Sequence, residues 1–223
     1  MKYVVVDFEM NPILRSYKNE RAICKNEIIQ IGAVLLDDNY KEQDSFQMYV
    51  KPVFSEKLKR SIVDLTGITD EKLLSAPRFE KAMKAFFEWC LHCEDKVQVI
   101  QWSENDYLQV IDEISLKKYI PTDQEKELLS GWHDFQKEYG DVIGRENQTS
   151  LSYAVMLAGE EFEGKRHDAL YDARNTARIL RTVRIPEERK RSLGKVIEVL
   201  KEEKTLGTTL GDMFDFSMIC AVA

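Results

Sequence analysis

The chain has 223 residues, 43% of them hydrophobic and 32% charged, with a net charge of −7. That length accommodates one domain plus an appendage, and it buries a full core without staples, which speaks against a wholly disordered chain. The acidic balance speaks against a protein that grips long duplex DNA along a basic stripe, although a nuclease that handles one strand end can meet phosphate charge with bound metal ions.

The chain opens with β-branched and aromatic residues over 2–8, which read as a buried central strand. A long, charged stretch from Asn11 to Asn26 comes next and reads as a lid or a substrate-selecting loop. Residues 27–36 are rich in Ile and Val and predict a second strand. Residues 45–51 alternate Phe46, Met48 and Val50, so they predict a third strand with one buried face. Two or three strands joined by short links suggest an antiparallel ribbon at the start of a sheet.

Helical patterns take over from residue 55. Residues 55–65 and 70–74 predict short helices. Residues 79–93 predict a longer one, with Phe79, Met83, Phe86, Phe87 and Cys90 at spacings of three and four. Residues 96–102 predict strand four, 105–114 a helix, and 131–134 the end of strand five. Residues 150–158 and 168–183 predict two more helices. Strands first, then strands alternating with helices, indicate an α/β layer fold with a mixed sheet.

A boundary is expected near 184–186, because proline rarely continues a helix. This divides the chain into a domain over 1–184 and an extension over 185–223. In the extension, residues 187–204 place Leu193, Val196, Ile197 and Leu200 on one stripe of an amphipathic helix. Gly207 and Gly211 punctuate the chain beyond it. The end, from Met213 to Val222, is apolar and is expected to dock on the domain or on a second subunit. Its last four residues have the form of a prenylation box but lack a polybasic neighbour.

The four cysteines, Cys24, Cys90, Cys93 and Cys220, are too few and too scattered for a disulfide framework. Cys90-Leu91-His92-Cys93 lacks a second ligand pair at zinc spacing and reads as half-buried thiols on a core helix. The opening apolar run ends at Asp7, short of a secretory leader, and no stretch approaches the ~20 apolar residues that span a bilayer. The expectation is a cytoplasmic protein without a membrane segment.

Three pieces carry chemistry. Asp7 and Glu9 lie two apart on the first strand, so their side chains share a face if pairing persists that far. Asp106 falls in the first turn of a helix, where a negative charge is favoured. Asp168 is a plausible N-cap for the helix whose apolar face is Ala169, Ala173, Ala177 and Leu180, and Asp172 sits at the edge of that face. His167 precedes this helix and can swing toward the same point as Asp172. Converging carboxylates need a cation, since two like charges ~4 Å apart repel by about 4 kcal/mol at an effective dielectric near 20. Oxygen ligands suit Mg²⁺ or Mn²⁺. A histidine at the rim is placed to take a proton from an attacking water, which completes the equipment of two-metal phosphodiester hydrolysis.

At these residues the sequence resembles the DEDDh branch of the DnaQ-like exonuclease superfamily. The matching pieces are Asp7-Phe8-Glu9, Asp106 within Trp102-Ser103-Glu104-Asn105-Asp106, and His167 with four residues before Asp172. Leu65-Thr66-Gly67-Ile68-Thr69 is similar to the family's loop beside the terminal nucleotide. Over 102–108 and 167–173 the likeness is to the KapD-like and histone-mRNA 3′-exonuclease-like group, and it covers about 2–183. The resemblance implies an RNase H-like fold, a mixed five-stranded sheet flanked by helices. It implies that Asp7, Glu9 and Asp172 hold one ion, that Asp7 holds a second with Asp106, and that His167 is the general base. It places Met10, Thr66 and Tyr107, with Glu9 and His167, against the last nucleotide.

The function expected is a 3′→5′ exonuclease using two Mg²⁺ or Mn²⁺ ions and releasing 5′-mononucleotides from single-stranded RNA or DNA 3′ ends, with RNA favoured. The alternatives are a DNA proofreading or repair exonuclease and a catalytically silent nucleic-acid-binding scaffold. The intact set of five residues speaks against the scaffold, which has no need to sustain such repulsion.

Overall fold

The computed structural model describes residues 1–55, 57–92, 96–145 and 147–213, with side chains described as far as residue 200. Strand β1 (Lys2–Pro12) is central in a five-stranded sheet of order β3-β2-β1-β4-β5. It pairs antiparallel with β2 (Asn26–Leu36) and parallel with β4 (Val97–Gln101). Strand β3 (Glu42–Tyr49) lies antiparallel on the β2 side, and the short β5 (His133–Asp134) lies parallel on the β4 side. The sheet is therefore mixed, and its two halves have different connection rules. The β1–β2–β3 ribbon needs only turns, whereas the parallel β1, β4 and β5 need crossovers.

Alternation along β1 divides the core. Val4, Val6 and Phe8 pack with Phe79, Met83 and Phe86 of α4 (Phe79–Leu91) on one face. Val5 packs on the other face with Phe135 and Tyr139 of α7 (Phe135–Ile143), Ala154 of α8 (Leu151–Leu157), and Ile179 and Leu180 of α9 (Ala169–Arg184). Strands covered on both faces read as continuous apolar runs, which is why β1, β2 and β4 stand out in the sequence.

Several elements differ from the sequence reading. The helix expected over 55–65 starts only at Arg60 and forms α2 (Arg60–Thr66). The preceding backbone is held elsewhere: Ser55 Oγ donates to Pro12 O (3.0 Å), and the Leu58 and Lys59 amides donate to Asp70 Oδ1 and Asn11 Oδ1 (2.9 Å each). A short α3 (Asp70–Leu73) forms as expected. Helix α1 (Lys18–Ile23) forms inside the stretch read as a loop. The helix expected over 105–114 is longer, as α5 (Glu104–Lys117). Helix α6 (Asp123–Ser130), opened by a Thr122/Glu125 capping box, and α7 were not expected.

Helix α10 (Pro186–Met213) starts at the proline after α9 and continues through Gly207 and Gly211 rather than stopping before them. Its Leu193 is fully buried in the same core cluster as Val183, with Ile197 and Leu200 packed against that cluster. The apolar residues 214–223 and Cys93 lie outside the described residues. Cys90 is buried on α4, on the core face expected for it. Among the described residues no helix is long and apolar enough to cross a membrane.

Candidate active site

The site forms where β1 outruns a neighbour. Pairing with β4 ends at Val6, opposite Gln101, while pairing with β2 continues to Pro12. One edge of β1 is thus open from Asp7 onward. The start of α5 fills it, and the Phe8 backbone amide donates a hydrogen bond to the Asp106 carboxylate. Asp106 is buried, in the first turn of α5, where the helix dipole favours its charge.

Asp7 and Glu9 are in register with Gly32 and Gln30 of β2, and a register shift occurs between Glu9 and Met10. The strand persists through Glu9, so both carboxylates project on the Val5 face, toward α9. The N-terminus of α9 can approach because Gly32 has no side chain: a methyl there would collide with the backbone of Ala169 and Leu170. Gln30 then clamps it. Its Nε2 donates to Asp168 Oδ2 (3.4 Å) and its Oε1 accepts from the Ala169 amide (3.3 Å). Gln47 Nε2 donates to Asp168 Oδ1 (3.2 Å), and Asp168 caps the helix by accepting from the Leu170 amide (3.1 Å).

His167 sits in the left-handed region at φ 62°, which turns the chain just before this cap. Its amide donates to Asp172 Oδ2 at 3.2 Å. The turn brings one ring nitrogen of His167 and one carboxylate oxygen each of Glu9 and Asp172 within 4.8 Å of one another. Glu9 and Asp172 are buried and His167 stands exposed at the rim. Asp172 Oδ1 is buried without a hydrogen-bond partner, an orphaned lone pair that a cation would satisfy.

The electrostatics show the crowding. Burial pushes the Asp7 carboxyl well above its ordinary range, and the charges of Asp106, Asp172, Glu9 and Asp168 push it further. Burial, then Asp172 and Asp106, raises Glu9 to about 8. Burial raises Asp106 to about 7 and Asp172 to about 6, opposed by the backbone bonds from Phe8 and His167. Left to themselves these acids resist ionising together, and a divalent cation is what would let all four do so. His167 is lowered, by partial burial and then by Arg166 and Lys165, so its imidazole is kept neutral.

The remaining expected contacts lie around this cluster in different ways. Met10 is partly buried at the register shift, against the α4-side core. Tyr107 rests its ring on Trp132, with centroids 5.7 Å apart. Thr66 is buried, and its hydroxyl is committed to its own turn, donating to Ile62 O (2.8 Å) and accepting from the Ile68 amide (3.0 Å). Gln30, Gly32 and Gln47, which dock α9, were missed in the sequence. The available signal was a lone glutamine in the apolar run Ile28-Ile29-Gln30-Ile31-Gly32.

Comparison with known proteins bears on the family and the fold. The family model described as Exonuclease (RNase_T) matches residues 4–180. A 3′-5′ exoribonuclease 1 of Rattus norvegicus is 30% identical over 163 residues, covering 69% of this chain and 46% of that protein. The ERI1 exoribonuclease 2 of Danio rerio is 27% identical over 195 residues, covering 78% of this chain and 33% of that protein. The chain thus spans less than half the length of these curated relatives. A crystal structure of the nuclease domain of 3′hExo, a DEDDh family member bound to rAMP, superimposes with a TM-score of 0.69 at 24% identity, over 81% of this chain and 90% of that one. The shared fold is the RNase H-like arrangement of a mixed sheet flanked by helices. Because the family match runs from β1 into α9, and so takes in every element that bears one of the clustered acids, the chain belongs to the exonuclease family.

Proposed function

We propose that this chain is a metal-dependent 3′→5′ exonuclease that releases 5′-mononucleotides from single-stranded nucleic acid, RNA in preference to DNA. The observation that carries it is the convergence of Glu9, Asp172 and His167 within 4.8 Å of one another, with Asp7 and Asp106 outside that group but near enough for charge to act between them and it. Oxygen-rich donors suit Mg²⁺ or Mn²⁺. In this reading Asp7, Glu9 and Asp172 hold one ion, and Asp7 and Asp106 hold the other. Bound there, the two ions would supply the charge that activates a water and steadies the leaving oxygen.

The chain's own groups do the rest. His167, neutral and exposed at the rim, accepts the proton of the attacking water. Met10, Thr66 and Tyr107 flank the terminal nucleotide, Thr66 through its backbone and methyl group because its hydroxyl is engaged. The RNA preference rests on the 3′-5′ exoribonucleases among the relatives. Four scattered cysteines, with Cys24 a buried thiol, suit a reducing cytoplasm.

The test is digestion of 5′-labelled single-stranded RNA and DNA of matched sequence. Shortening from the 3′ end in Mg²⁺ or Mn²⁺, faster on RNA and absent in excess EDTA, is expected. Full turnover in EDTA, or shortening from the 5′ end, overturns the proposal.

A further inference from the structure

Beyond Glu9, β1 runs on to Pro12 and the chain enters the charged stretch 13–26, which is docked along its length. Its ends close on each other, the Ile13 amide donating to Lys25 O at 3.0 Å. The Leu14 amide donates to Phe54 O (3.1 Å), and the ring of Tyr17 meets that of Phe54 edge-on at 5.3 Å. Beneath them Glu27 accepts from the Val53 and Phe54 amides at 2.7 and 2.8 Å and pairs with the buried Lys117. On the far side Gln109 donates to Asn26 O at 2.9 Å, one turn along α5 from Asp106. Residues 13–26, 51–55 and 57–60 therefore form one wall, standing at the end of the strand that carries Glu9 and braced on the helix that carries Asp106.

The wall is charged against the grain of the molecule. Its 23 described positions hold eight basic residues and one acidic one, in a chain whose net charge is −7. Arg15, Lys18, Lys25, Lys57 and Lys59 are exposed, while Arg60 is paired with Asp64 at 3.0 Å and Arg21 is turned back onto Ile13 O. A compact positive surface in an acidic field concentrates a polyanion there and repels it elsewhere.

We propose that this wall binds the phosphates upstream of the terminal nucleotide, so that the preferred substrate is a single strand several nucleotides long. The proposal rests on the exonuclease reading. The few exposed cations set a short footprint, which distinguishes a single strand from a long duplex. The segment is then a fixed strand guide and not a lid.

The test uses the full chain with Arg15→Glu, Lys18→Glu and Lys25→Glu combined. None of the three has a part in the acid cluster. Rates are read on a dinucleotide and on a long single strand, and long-strand binding is read by fluorescence anisotropy in EDTA across a salt series. The dinucleotide rate should stay within about two-fold, because only the terminal site is needed for it. KM and Kd for the long strand should rise about 10-fold or more, and the log–log salt slope should shrink by about 2, at roughly 0.7 for each phosphate that is no longer neutralised. Unchanged long-strand binding and salt slope overturn the wall, as does an equal loss on both substrates. A wild-type chain that binds the long strand through the wall but hydrolyses neither substrate overturns the exonuclease reading and leaves the wall standing.

Discussion

At the scale of single residues, the protein holds four acids within reach of one another's charge and largely out of water, and its stability should show it. Glu9, Asp106 and Asp172 are raised to about 8, 7 and 6, so without metal the folded state binds more protons than the unfolded chain. By linkage, their stabilising contribution is complete below the ordinary carboxylate range and is lost as pH rises through about 6 to 8. The melting temperature in EDTA should therefore fall between pH 5 and pH 8. Glu113, buried in α5 and also raised to about 8, shares this trend, so the discriminating arm is the metal. Mn²⁺ should restore more stability at pH 8 than at pH 5, and Asp7→Asn should raise the metal-free melting temperature while removing activity. A metal effect independent of pH would contradict this account. His167 obeys the opposite sign. Its pKa is lowered, so it is already proton-free at neutrality, and the rate should climb only below the ordinary histidine range. His167→Ala should cost about 10²–10⁴-fold in kcat with a smaller change in KM. Near-normal kcat across the neutral range would remove it as the base.

At the scale of elements, the site is a matter of how α9 lies on β2. Two of the converging groups belong to the α9 end, His167 and Asp172, and two belong to β1, Asp7 and Glu9. Gly32 and Gln30 set the spacing between them from the neighbouring strand. Gly32→Ala should push the helix outward and destabilise the fold by about 1–3 kcal/mol, the usual cost of overpacking. It should also weaken Mn²⁺ binding, because Asp172 moves with the helix. Urea unfolding and metal titration by calorimetry check both parts. A variant as stable and as tight for Mn²⁺ as the wild type would show that the close approach does not control the site.

At the scale of the whole molecule, the extension divides into a part that belongs to the core and a part beyond the acid cluster. Leu193 is fully buried among residues of α9 and the sheet face, so Leu193→Ala should cost about 2–5 kcal/mol. All the proposed catalytic residues lie upstream of 185. Removing 206–223 should leave kcat on a short oligonucleotide within a few-fold, with any effect appearing in stability or in the mass seen by light scattering. Abolished turnover with fold, stability and mass intact would place the tail in the active site.

The sequence by itself carried the order of the elements, the central strand, and the acids as an ordered set. Strands buried on both faces are legible as apolar runs, and α9 is legible as an apolar stripe behind an N-cap. Helix α7 was missed although Phe135, Tyr139 and Ile143 recur at helical spacing, because its nine residues are shorter than the window over which such a pattern stands out, and the first four residues of β3 are exposed and carry no alternation. Helix α1 hid in a charged stretch with no buried residue of its own. What only the tertiary structure decided is the meeting itself. Asp7 and Asp172 are separated by most of the chain, and nothing in either neighbourhood says how far apart they lie. That distance is set by a missing side chain at Gly32, a buried amide at Gln30, a left-handed turn at His167 and the early end of β4. Each of these is a relation between two elements, and local sequence patterns report only the element that contains them.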